Sequence, residues 1–118
     1  MWKGISKRKF PRANYPCKIT IKRKDQAESI STHTENIGVG GICVILSNDL
    51  GIFAPVEINL DLLDGQPAIN CDGAIVWIVK RKQDSSSSAY DTGIEFTTIA
   101  RDDADRINDV VEKTLKEV

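Results

Sequence analysis

At 118 residues the chain has room for one domain with a single core, and its 41% apolar and 28% charged content is that of an ordinary soluble globular protein. No apolar run approaches the roughly 20 residues of a membrane span. The opening MWKGISKRKF has no apolar stretch behind its cations, so no signal peptide is expected and a cytoplasmic location is. The net charge of −1 hides an uneven spread: nine of the sixteen Lys and Arg fall in residues 1–24, and all seventeen Asp and Glu come later. That basic opening reads either as a solubilising arm or as a local positive field for a phosphate-bearing partner.

From Tyr15 the pattern has period two. Cys17, Ile19 and Ile21 alternate with Lys18, Thr20 and Lys22, which predicts a half-buried first strand. AESISTHTE (27–35) is polar and β-branched and reads as an edge or solvent-facing strand. GICVIL (41–46) is continuously apolar, as in a strand buried on both faces, and SNDLGIFAP (47–55) carries turn chemistry. VEINLDL (56–62) alternates cleanly, with Val56, Ile58, Leu60 and Leu62 inward. Asp64-Gly65 signals a turn, and a long fifth strand is predicted from Ile69 to Val79, with Gly73 marking a bulge or bend. KRKQDSSSS (80–88) reads as a hairpin loop, and AYDTGIEF (89–96) as a sixth strand with Tyr90, Ile94 and Phe96 on one side. The period then changes: Ala104, Ile107, Val111, Leu115 and Val118 predict an amphipathic helix over 102–117. Asp102, Asp103 and Asp105 near its start and Lys113 and Lys116 near its end suit the helix dipole. Six short-linked strands and a helix predict an all-β domain, a six-stranded antiparallel barrel with a C-terminal helix over one mouth or edge. One domain is expected: an arm over 1–13, the barrel over 14–97 and the helix over 102–117.

Cys17, Cys43 and Cys71 contain no C-x-x-C pair, lie in apolar contexts, and read as small buried hydrophobes. With His33 the lone histidine, no metal site is expected. His33 has no Ser or Cys partner at a signature spacing, and Asp61, Asp64 and Asp72 read as solvated residues near turns, so no enzyme is expected.

Two stretches remain. In RKFPR, Pro11 disfavours a helix and pushes Phe10 toward extended backbone, so Arg8 and Arg12 ride on an extended arm. Their planar guanidiniums suit a phosphate, a guanine O6/N7 edge or a stacked base. NIGVGG (36–41) does not fit the dinucleotide fingerprint, because Gly38, Gly40 and Gly41 have the wrong spacing and a strand follows. It reads either as a tight turn needing positive φ, or as a place where a ligand approaches bare backbone while Asn36 offers an amide to a base edge.

An R-x-x-x-R arm (Arg8, Arg12) followed by a (D/N)-x-S-x-x-G stretch opening a strand (Asn36 to Gly41) resembles the PilZ domain family. VEINLDL, GAIVWIV, GIEF and the terminal helix supply matching context, so that the likeness runs over roughly residues 5–117. The resemblance implies a barrel that binds cyclic di-GMP, a second messenger with two guanines and two phosphates, and needs no cofactor. Arg8 and Arg12 would then contact phosphate and guanine, Asn36 would bond a guanine, and Gly41, with Gly38 and Gly40, would supply the bare turn. Lys7 would stand where the family often carries a further basic residue, whose type bears on whether one ligand or a stacked pair is held. Where the pattern has Ser this chain has Gly38, and the missing hydroxyl is worth about 0.5–1.5 kcal/mol. Asn36 in the Asp position cannot accept two guanine N–H bonds as a carboxylate can. Trp77 reads as a core residue first and as an aromatic flanking the ligand second.

The functional expectation is a cyclic di-GMP receptor that changes its surface on binding and so regulates a protein partner. A PilZ-like module that binds only protein is the alternative that Gly38 motivates. A barrel for single-stranded nucleic acid is disfavoured, because few of the seven aromatics are placed to stack bases, and neither DNA nor RNA is expected as a partner.

Overall fold

The computed structural model of the chain describes residues 12–81 and 89–116. Seven strands, β1 (Arg12–Ala13), β2 (Lys18–Arg23), β3 (Ser29–Gly38), β4 (Gly41–Leu46), β5 (Pro55–Asp61), β6 (Ile69–Lys80) and β7 (Tyr90–Thr98), precede one helix, α1 (Arg101–Lys116). Their order is β1-β3-β2-β5-β6-β7-β4, and β3 also pairs with β4, so β2 to β7 close into a six-stranded barrel. Every pairing is antiparallel. The alternating inward residues of β2 and β5 are the ones expected: Ile19, Ile21, Val56, Ile58 and Leu60 are buried in one cluster with Ile37, Ile42, Val44, Ile75 and Ile94.

Several elements differ from the sequence reading. The first barrel strand starts at Lys18 rather than Tyr15, since Pro16 has no N–H for a ladder. Arg12 and Ala13, placed in the arm by sequence, instead form β1, pairing with Gly38 and Ile37. The polar strand runs further than expected, to Gly38, and among the described residues only its second half has partners on both edges. Its first half pairs with β2, while its second half lies between β1 and β4. Its outer side is solvent-facing as expected, and His33 is exposed there.

The 14–17 crossing from β1 to β2 is pinned by a buried hydroxyl. Thr34 Oγ1 accepts from the Cys17 N–H (3.0 Å) and donates to the Tyr15 carbonyl (2.9 Å), while the Thr34 N–H donates to the Cys17 carbonyl (3.0 Å). Thr34→Val keeps the shape and deletes both hydroxyl bonds. It is expected to cost about 1–3 kcal/mol, because a buried donor and acceptor lose their partner. Urea unfolding at equal m-value measures this, and an unchanged midpoint would contradict it.

The helix covers β1 and β3 and contributes Ile107 and Val111 to the core. Its buried stripe is narrower than the periodicity suggested: Leu115 is exposed, and Val118 lies outside the described residues. Arg106 holds the helix to the β5–β6 loop, donating from Nη2 to Asp64 Oδ1 and from Nη1 to the Pro67 carbonyl, both at 2.9 Å. Burial raises the Asp64 pKa, but the Gln66 N–H and the Arg106 guanidinium outweigh it, so the carboxyl lies below its ordinary value.

All three cysteines are buried, and none is in a disulfide. Burial pushes the Cys17 thiol up to about 11 and the Cys71 thiol up to about 12. Both therefore stay protonated in the fold at neutral pH. The stability they confer as neutral groups is complete below the unfolded thiol pKa and is lost as pH rises through these values.

Candidate functional site

The β3–β4 hairpin organises the site. Its turn is only Val39 and Gly40, so Asn36 to Gly38 belong to the end of β3 and Gly41 to the start of β4. NIGVGG is thus mostly paired strand rather than loop. A Cβ on Gly41 would overlap the Ile94 carbonyl oxygen and reach 3.2 Å from Glu95 Cα, while its φ is ordinary. Close packing of β4 on β7 accounts for this glycine. Gly40 offers its carbonyl to the Phe96 N–H at 3.0 Å, and Gly38 is buried opposite Arg12.

A bulge between Thr34 and Asn36 re-aims the strand just before the motif. Arg12, brought alongside by β1, donates from Nη1 to Asn36 Oδ1 at 3.2 Å. Two residues 24 apart in sequence are thereby held in one place. The contact fixes which way the Asn36 amide faces: its oxygen is engaged by Arg12, and its NH2 remains the donor end. That bond is to a neutral amide, and it orients the guanidinium.

Cross-strand partners extend the site sideways. Asn36 pairs with Cys43, Cys43 with Gly93, and Gly93 with Trp77, in one row across β3, β4, β7 and β6. Directly paired residues share a face of the sheet. Ile42 and Val44 are in the core cluster whereas buried Cys43 is not, so the row lies on the outer face. Trp77 is 38% exposed, and a Cβ on Gly93 would overlap its indole ring. The reading of Trp77 as a core residue is therefore corrected. Besides a register shift at Asp72/Gly73, where a bulge was expected, β6 has a bulge between Ile75 and Trp77 that shifts the alternation and turns Val76 and Trp77 outward together. Along the curved barrel wall, three strand spacings of about 4.8 Å each separate Trp77 from Asn36.

Arg12, Asn36, Gly38, Gly40 and Gly41 are thus brought together, with Trp77 at the far end of the same face. Lys7 and Arg8 lie outside the described residues. Sequence reasoning missed Cys43 and Gly93, and strand register was the only signal that connects them to Asn36. Among the described residues, no group of three or more His, Cys, Asp or Glu could hold a metal ion. No helix among them is long and apolar enough to cross a membrane.

Fold and site define a small closed β-barrel domain with a helix on one side and a polar cluster on its outer wall. The sequence profile of the PilZ domain matches residues 6–113, and the chain belongs to that family. Among solved structures it is similar to the Escherichia coli YcgR PilZ domain with c-di-GMP, at TM-score 0.70 and 14% identity, covering 94% of this chain and 93% of that one. The K. pneumonia MrkH–c-di-GMP complex matches at TM-score 0.73 and 20% identity over 94% of this chain and 53% of that one. The Bacillus subtilis inhibitor of motility MotI/DgrA matches at TM-score 0.70 and 18% identity over 94% and 51%. The chain spans about half the length of these last two, and at such identities the likeness is one of fold. No curated protein matches it in sequence.

Proposed function

We propose that the domain is a non-catalytic receptor for cyclic di-GMP, which it binds on the outer wall of the barrel between Arg12 and Trp77. The observation that carries this reading is the Arg12–Asn36 contact, in which the second arginine of one motif meets the first residue of the other. Arg12 supplies charge and a planar donor fork to a phosphate or a guanine edge. The Asn36 NH2 donates to a guanine acceptor, and the Trp77 ring, seated on the bare backbone of Gly93, offers a face to a base. Arg8 and Lys7 add positive charge from the preceding arm. Binding changes the surface offered to a protein partner in the cytoplasm. Two of the similar structures, YcgR and MrkH, are complexes with this nucleotide.

Calorimetric titration of the whole chain with cyclic di-GMP, and with GMP as control, tests the reading. Saturable heat with the cyclic dinucleotide and none with GMP at equal concentration is expected. An absence of heat at millimolar ligand would leave the second reading, a PilZ fold that binds protein alone. Gly38 favours that one, since it removes the hydroxyl of the motif.

A further inference from the structure

The barrel is not closed along its whole height. From Ile69 to Ala74, β6 is flanked by β5 on one edge, and β7 follows the other edge from Asp72 to Lys80. The last bonds on the β5 side are the Phe53 N–H to the Ile75 carbonyl (2.7 Å) and the Ile75 N–H to the Ala54 carbonyl (3.1 Å). Beyond them β7 stays with β6 as far as Lys80, and β4 flanks β7 to Tyr90. Among the described residues, no strand pairs with the far edge of 76–80.

The backbone groups on that edge can be assigned. The Arg81 N–H donates to the Ala89 carbonyl at 2.8 Å, so Arg81 faces β7. Alternation then turns Trp77 and Val79 toward β7, and places the N–H and C=O of Ile78 and Lys80 on the open edge. The bulge at Val76 accounts for the change of parity from Ile75. Sheet edges are ordinarily blunted by charge, proline or cover. This one carries Val76, Trp77 and Val79, exposed by 36, 38 and 56%. Phe53, 76% exposed in the left-handed region (φ 68°), stands where the line of β5 leaves β6.

We propose that the open edge of β6 receives an extended segment of another protein, apolar and acidic in alternation, as an added strand. Ile78 and Lys80 would set its register through their backbone groups, and Val79 and Trp77 would meet its apolar side chains. Lys80 and Arg81 select an acidic segment, with Asp91 offsetting Arg81 only in part, at 3.6 Å across a solvent-exposed gap. A second copy of this chain fits less well. Stable interfaces take about 20–30 residues a side, and this edge offers only positions 76–80. Trp77 belongs both to this edge and to the row that ends at Asn36, so partner and nucleotide would touch one residue. The inference extends the reading of the domain as a receptor acting on a partner, and its test is run without nucleotide so that the two can fail separately.

The test is amide hydrogen exchange by NMR on the whole chain, with the synthetic peptide acetyl-EVEVTVE-amide as probe and acetyl-KVKVTVK-amide as its counterpart. The acidic peptide is expected to slow exchange at Ile78 and Lys80 by about 10-fold or more at saturation, leaving Trp77 and Val79 as they were. The basic counterpart should bind at least about 10-fold more weakly. Lys80→Pro removes an edge N–H without touching the bonds to β7, and should abolish peptide binding while the remaining amides keep their shifts. If that variant does not fold, a Lys80→Glu, Arg81→Glu pair replaces it and should reverse the preference between the peptides. Equal binding of both peptides, or protection confined to other strands, overturns the proposal. So does protection of Ile78 and Lys80 in the protein alone that grows with concentration as the mass doubles. Repeating the titration with cyclic di-GMP present then reads the coupling through Trp77.

Discussion

Replacing Arg12 with alanine is expected to weaken cyclic di-GMP binding by roughly 10- to 150-fold, the factor that corresponds to about 1.5–3 kcal/mol for a hydrogen bond to a charged group. Calorimetry against the parent protein measures it. The substitution removes the cation proposed to meet the phosphate, and it also releases the Asn36 amide from the orientation the 3.2 Å contact gives it. The two losses fall on one site, so they should not add as independent terms. Asn36→Ala in the Arg12→Ala background should therefore cost less than it does in the parent. Stability should change little, since Arg12 lies in a two-residue strand at the rim and is only half-buried. Parent-like affinity in a folded Arg12→Ala protein would remove the basis of the receptor reading.

Gly41→Ala is expected to have the largest effect on stability, a loss of about 3–4 kcal/mol. The added Cβ would overlap the Ile94 carbonyl, and both of its nearest neighbours are backbone atoms of β7. Neither can rotate aside, so relief requires β4 and β7 to part along a seam that runs from Gly41 opposite Glu95 to Leu46 opposite Tyr90. For a domain of this size the loss corresponds to a fall in Tm of roughly 10–20 °C. Gly93→Ala is the informative comparison. Its Cβ would collide with the indole of Trp77, which is a surface side chain and can swing away. That variant should lose less than about 1.5 kcal/mol and shift the tryptophan emission to the red as the ring leaves its seat. A Gly41→Ala protein that melts with the parent would show that the seam yields more easily than a paired backbone should.

The parts of the fold legible in the sequence were those governed by short-range periodicity. Ile19, Ile21, Val56, Ile58 and Leu60 announce their strands because a strand buried on one side must alternate, and all of them are inward. The helix was equally plain, since a change of period marks it wherever it packs. The first half of β3 suits the polar, edge or solvent-facing strand its sequence suggests, but nothing local reveals that β1 and β4 clasp its second half. Trp77 was misjudged for a related reason: an indole in the run GAIVWIV reads as core until the bulge beside it turns it outward.

The candidate site divides along the same line. Residue type and order marked Arg8, Arg12, Asn36 and Gly41 as one motif pair, and its resemblance to the PilZ family implied a receptor for an anionic, purine-bearing ligand. Only the folded barrel decided that Gly41 spaces two strands, that Cys43 and Gly93 join Asn36 to Trp77, and that β6 outruns β5 to leave an edge open. Alternation along one strand is written in neighbouring residues, whereas register between strands is settled by residues dozens of positions apart competing for a single core, and a linear sequence carries no local mark of that outcome.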